Sequence, residues 1–177
     1  MKFKKALSLF VIVLLSLTLV QAQSKKIKKY ESIEGKFKIQ FSQTPSTSTQ
    51  EIDLKEGEKS TIHVFSEETA TKAFMISYNT YPESIAKNLV IDEALEGAMK
   101  GFNDNLSLTI GTKKFVWIKR GSKSYKGILY KSSGKEMYVA AKVILVDSRL
   151  YQIVIMNTEE NVSESDINQF IESFELL

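Results

Sequence analysis

Residues able to do acid–base or metal chemistry are few in this 177-residue chain. His63 is its one histidine, the only side chain that titrates near neutrality without a perturbed environment. There is no cysteine, which excludes reactive thiols, thiolate metal sites and disulfides. A Ser-His-Asp site would have to recruit His63, and no Gly-x-Ser-x-Gly elbow supplies its nucleophile. A zinc site would have to complete its ligand set from Asp and Glu around one imidazole. His63 shares a strand face with Thr61 and Phe65, the pattern of a surface or edge residue rather than of a ligand or base. Paired carboxylates occur at Glu67-Glu68, Asp92-Glu93 and Glu159-Glu160, all at the edges of predicted elements, where turns and helix N-termini account for them. Phosphate-cradling glycine loops and dinucleotide fingerprints are absent, while Asn105-Leu106-Ser107 and Asn161-Val162-Ser163 match the glycosylation acceptor sequence. The expectation is a protein without catalytic residues, metal ligands or cofactor, and therefore not an enzyme.

Charge is the remaining candidate for function. From Lys113 to Lys142 there are nine basic residues and one acid, Glu136, whereas from Glu159 to the C-terminus there are six acids and no base. Lys119, Arg120 and Lys123 surround a predicted turn at Gly121, so these three are the candidate binding residues, a basic patch at one end of a hairpin. The competing explanation is that the C-terminal acids neutralise the patch.

The elements that must position these residues follow from hydrophobic periodicity. Residues 1–22 have the pattern of a signal peptide: Lys2, Lys4 and Lys5, an apolar run from Ala6 to Val20, and Val20-Gln21-Ala22 before a cut at Gln23. The apolar run is shorter than the roughly 20 residues of a spanning helix, so no integral membrane segment is expected after cleavage. All 21 acids but only 21 of the 24 basic residues lie beyond it, so the remainder is formally neutral and an attraction to nucleic acid is not supported. Residues 23–33 read as a flexible basic lead-in and 34–177 as one α+β domain.

Within that domain, Phe37, Ile39 and Phe41 alternate on an opening strand that Pro45 and the Ser46–Thr49 run are expected to end. A weaker strand is predicted around Ile52 and Leu54, a third at Thr61–Phe65 and a fourth at Ala73–Tyr81. A helix is predicted from Asp92 to Asn103, with Ile91, Leu95, Ala98, Met99 and Phe102 on one stripe. Gly97 and Gly101 lie off that stripe, and close approach by a neighbouring backbone would account for them. Extended segments at Phe115–Arg120 and Tyr125–Lys131 lead to two strands, Met137–Val146 and Leu150–Met156, that are apolar on both faces and so predict a sheet covered on both sides. Ser163 is the predicted cap of a last helix whose stripe is Ile167, Phe170, Ile171 and Phe174. The ten Phe, seven Tyr and one Trp read as core.

The opening Gly35-Lys36-Phe37-Lys38-Ile39-Gln40-Phe41, the strand start Leu150-Tyr151-Gln152 and the closing Phe170-Ile171-Glu172-Ser173-Phe174-Glu175-Leu176 resemble those of PsbP-like proteins. Many members have a proline straight after the first strand, where this chain has Ser42. The resemblance implies helices packed on both faces of an antiparallel sheet and a binding or assembly role. The expected architecture is a single α+β domain with about six to eight antiparallel strands in the order ββββ-α-ββββ-α. The expected function is an exported, periplasmic or extracellular, non-catalytic interaction or assembly module of the bacterial envelope. Its partner would be an envelope protein or an anionic envelope component. The alternative is a carrier holding a small apolar ligand between sheet and helix.

Overall fold

The computed structural model describes residues 29–54 and 57–177; the predicted signal peptide and most of the predicted lead-in lie outside them. The elements are β1 (Tyr30–Ser32), β2 (Phe37–Ile39), β3 (Ser46–Asp53), β4 (Lys59–Glu68), β5 (Lys72–Thr80), α1 (Glu83–Ala86), α2 (Ile91–Asn105), β6 (Thr109–Arg120), β7 (Lys123–Ser133), β8 (Tyr138–Val146), β9 (Arg149–Asn157), α3 (Glu164–Gln169), a 3-10 turn (Ile171–Ser173) and β10 (Glu175–Leu176). The strands form two antiparallel sheets, one of seven strands in the order β3-β4-β5-β9-β8-β7-β6 and one of three in the order β1-β2-β10.

The fold is α+β and largely antiparallel, but five strands rather than four precede the first helix, and the opening strand belongs to its own small sheet. Tyr30–Ser32, assigned by sequence to the lead-in, is β1: Tyr30 packs on Phe37, Phe41 and Phe65, and Lys29 pairs with Glu175 at 2.5 Å. The Ser/Thr run expected to end a strand is itself a strand, β3, paired with β4 from Ser46↔Ser66 to Asp53↔Lys59. A strand at the border of a sheet needs ladder partners on one side only and no apolar face, so periodicity does not reveal it.

β8 sorts the core. Val139, Ala141, Val143 and Leu145 pack with Leu95 and Met99 of α2 and with Leu150 and Val154 of β9. Ala140, Ile144 and Val146 pack with Tyr151, Ile153 and Ile155 of β9, with Ile167 of α3, and with Phe37 and Ile39 of the small sheet. Tyr151 ties the two sheets together by donating its hydroxyl to the Gly35 carbonyl at 2.8 Å.

Ser163 caps α3 as its sequence predicts. It accepts from the Asp166 N–H at 3.1 Å and its hydroxyl donates to the Asp166 carboxylate at 2.7 Å. The helix is shorter than its stripe, because after Gln169 the chain tightens into the 3-10 turn so that β10 can pair with β2. Phe170, Ile171 and Phe174 are buried all the same. Ser42, where the resemblance would place proline, donates both its N–H (2.8 Å) and its hydroxyl to Glu67, a carboxylate only 6 % exposed. Proline could supply neither donor.

Gly97 and Gly101 are not sites of close approach: nothing lies within 4 Å of where a Cβ would stand on either. Both face solvent on α2, so Gly97→Ala and Gly101→Ala should each stabilise the protein by about 0.5–1 kcal/mol. A rise in the urea midpoint for both checks this; a fall would mean that face of α2 is covered.

Candidate functional site

β6, twelve residues long, ends the seven-stranded sheet, and among the described residues β7 is its only strand partner. A register shift at Gly111 sets the phase of the strand. Lys113, Phe115, Trp117 and Lys119 then pair with Tyr130, Ile128, Lys126 and Ser124, on the face that α2 covers further in. Lys114, Val116, Ile118 and Arg120 take the other face. α2 does not reach Phe115 and Trp117, which remain 51 % and 63 % exposed. Val90 and Ile91 at its start are equally open, at 54 % and 50 %. Among the described residues these four are the most exposed large apolar side chains apart from Ile33.

The patch is held in place by charge. Lys126 lies 4.0 Å from the Phe115 ring centroid and donates to both Asp92 oxygens, at 2.7 and 2.9 Å. Asp92 belongs to the first turn of α2, so this contact joins the helix start to the sheet border. Next to it a cleft of about 570 Å3 is bordered by Val90, Ile91, Trp117, Tyr125, Lys126 and Leu145.

The predicted basic residues sit at the adjoining end. Gly121 adopts φ 59° in the β6–β7 turn and brings Arg120 opposite Lys123. Both approach Asp147, the Arg120 guanidinium at 3.4 Å and the Lys123 ammonium at 3.8 Å. Arg120 also donates to the Tyr125 hydroxyl at 3.3 Å. Asp147 itself has φ 54° in the two-residue β8–β9 turn, a conformation glycine adopts with less strain, so what Asp adds there is the carboxylate. Lys119 is exposed on the opposite face of β6 from Arg120, and among the described residues it makes no ion pair.

The structure thus joins two of the three predicted residues and sets the third one strand-face away. C-terminal acids meet only part of the basic segment, through Lys131–Glu164 (2.6 Å) and Lys142–Glu172 (2.7 Å). The Lys131 ammonium holds the Glu164 carboxyl below its ordinary value. Lys113 and Lys126 are met by α2, through Glu96 and Asp92. Lys114, like Lys119, has no ion pair among the described residues.

Sequence reasoning missed Phe115 and Trp117 by assigning aromatics to the core, and Ile91 by placing it on the helix stripe expected to be buried; Val90 was not singled out. The available signal was their setting, because Phe115 and Trp117 share a face with Lys113 and Lys119, whereas aromatics at the sheet centre share theirs with other apolar residues.

Three of the remaining candidates, His63, Glu67 and Asp92, are engaged by neighbours within the fold. His63 stacks on Tyr78 with ring centroids 4.6 Å apart, and the Arg149 guanidinium lies 4.8 Å from the same Tyr78 centroid. Of the carboxylate pairs, Glu67 is tied to Ser42 and Asp92 to Lys126. Glu67 and Asp166 border one cleft of about 100 Å3, but burial acts to raise Asp166, and hydrogen bonds from Lys72 and Ser163 outweigh it and hold the carboxyl low. Among the described residues no three His, Asp or Glu side chains gather to hold a metal, and no helix is long and apolar enough to cross a membrane.

With that geometry in hand, the chain was compared with known proteins: no protein family matches it, and neither does any curated protein.

Burial raises the phenols of Tyr78, Tyr81, Tyr130 and Tyr151 above their ordinary value near 10. The neutral phenol is favoured in the fold, so this contribution to stability is complete below about pH 10 and is lost as pH rises beyond it. The urea midpoint should fall as pH rises past about 10, with a step in tyrosinate absorbance at unfolding. Ionisation of every tyrosine in a still-folded protein would contradict the buried positions.

Proposed function

We propose that the protein is an exported, non-catalytic interaction or assembly module of the bacterial envelope. It engages an envelope protein or an anionic envelope component through the β6 end of its large sheet, with Lys119, Arg120 and Lys123 as the charged contacts. The observation that carries this reading is the exposed Phe115–Trp117 pair beside Val90 and Ile91, bordered by those bases. A partly apolar, aromatic centre with a polar and basic rim is the anatomy of a recognition surface. Exposed aromatic area of this kind is costly on a monomer and is accounted for when a partner covers it.

The PsbP-like relationship is part of the same proposal. Its support is that the opening and closing segments carrying the resemblance meet in space, with Leu176 opposite Phe37 and Glu175 opposite Lys38. The two core clusters, on alternate residues of β8, support a sheet with helical cover on both faces, α2 on one side and α3 on the other.

The carrier reading draws on the cleft beside Trp117, whose volume suits a small ligand. With Trp117 63 % exposed, a ligand there would remain largely in water, which favours a partner's side chains over a free small molecule.

Two variants test the proposal in pull-downs from native envelope: Phe115→Ser with Trp117→Ser, and Lys119→Glu, Arg120→Glu and Lys123→Glu together. Each should lose the partners that wild type retains. Their melting temperatures should change by no more than about 2–4 °C, because exposed positions contribute little to stability. Unchanged partners in both variants would contradict the proposal.

A further inference from the structure

The two borders of the large sheet are built differently. β3, at one end, is Ser46-Thr47-Ser48-Thr49-Gln50-Glu51-Ile52-Asp53, exposed and nearly devoid of large apolar side chains. β6, at the other, places Phe115-Val116-Trp117-Ile118 between Lys113-Lys114 and Lys119-Arg120. A border that only needs to stay inert is adequately served by polar residues such as those of β3. β6 instead exposes aromatics along an edge that, among the described residues, no further strand pairs with.

From this contrast we infer that β6 is an acceptor for an extended segment of a partner protein, which adds to the sheet as an eighth strand. The segment has four apolar or β-branched residues flanked on both sides by Asp or Glu. The inference rests on the interaction-module reading and names the chemistry of its partner.

Charge selects the occupant. A second copy pairing its own β6 antiparallel about Val116 would set Lys113 opposite Lys119 and Thr112 opposite Arg120. The next register that keeps the faces matched, centred on Trp117, sets Lys114 opposite Arg120. Like charges directly opposite one another on paired strands repel, so self-association is disfavoured in both registers. An acid-flanked segment meets the opposite situation. Lys114 and Lys119 are without ion pairs among the described residues, lie on opposite faces, and are five positions or about 17 Å apart along the strand. Acids opposite those two positions leave four residues between them, the length of the apolar stretch Phe115–Ile118. On the α2 side, the incoming apolar side chains would cover Phe115 and Trp117 and reach towards Ile91 at the cleft. Main-chain hydrogen bonds would supply affinity and the flanking acids register, as in strand addition generally.

Trp117, the only tryptophan, reports on this border directly. The probes are two end-capped peptides, Glu-Glu-Val-Ile-Thr-Val-Glu-Glu and the same sequence with Lys for each Glu, together with vesicles of anionic phospholipid. The acidic peptide should move Trp117 emission to shorter wavelength and slow amide exchange in β6, and its binding should weaken as salt rises. The lysine peptide should do neither. Lys114→Glu with Lys119→Glu should reverse the preference. An equal response to both peptides, no response to the acidic one, or a response to vesicles alone would overturn the inference. If the acidic peptide is ignored while Phe115→Ser with Trp117→Ser still loses its envelope partners, only the strand-addition inference fails; if the envelope partners are also retained, the broader reading fails with it.

Discussion

The arrangement depends on β8 being buried on both faces from Val139 to Val146. A strand of that kind cannot lie at a border, and it needs cover on two sides. It thereby obliges one set of elements to gather over Val139, Ala141, Val143 and Leu145 and another over Ala140, Ile144 and Val146. The one charged side chain on β8, Lys142, shows how strict the requirement is. Its ammonium is buried and is answered by Glu172 at 2.7 Å, with the Ile171 carbonyl 3.4 Å away. A buried charge without a partner would cost several kcal/mol. The 3-10 turn at Ile171–Ser173 therefore does two things at once: it closes the core over β8 and β9, and it supplies the groups that receive Lys142.

The small sheet extends the same constraint. The Phe37 ring lies among Tyr30, Phe65, Tyr78, Tyr151 and Phe174, with centroid separations of 5.4–6.4 Å. Three short strands of three, three and two residues have too few ladder bonds to stand alone, so this aromatic contact and the Tyr151–Gly35 hydrogen bond hold them to the large sheet. The opposite is true of β6. Its inner neighbours Ile128 and Tyr130 are buried under α2, but one strand further out Phe115 and Trp117 are left open. The centre of the sheet is thus over-determined while its β6 border is available.

What was legible in the sequence follows this division. β8, β9 and α2 announce themselves because burial leaves a period in the residues, and Ser163 announces a helix start because its hydroxyl has a specific acceptor role there. β3 was legible only at its Ile52 end; its Ser46–Thr49 part was not, since a border strand is specified by backbone pairing and needs no apolar period. β1 was hidden because three residues carry no periodicity, and the length of α3 because its stripe continues through a tighter turn. At the candidate site, the Gly121 turn placed Arg120 beside Lys123 as expected, but the carboxylate between them, Asp147, comes from a different hairpin and is adjacent only in three dimensions. Phe115 and Trp117 look like core residues one at a time. Their exposure is a consequence of where α2 ends relative to the strand order, and the only local sign of it is that Lys113 and Lys119 share their face.

Native-state hydrogen exchange, read strand by strand, tests the central claim of a two-sided centre with an open β6 border. Amides of β8 and β9 should exchange only with global unfolding, and the amides of β6 that do not bond to β7 should exchange as fast as unprotected ones. Outward-facing β6 amides as slow as those of β8 would mean that this border is already covered in the free protein, and would contradict the account.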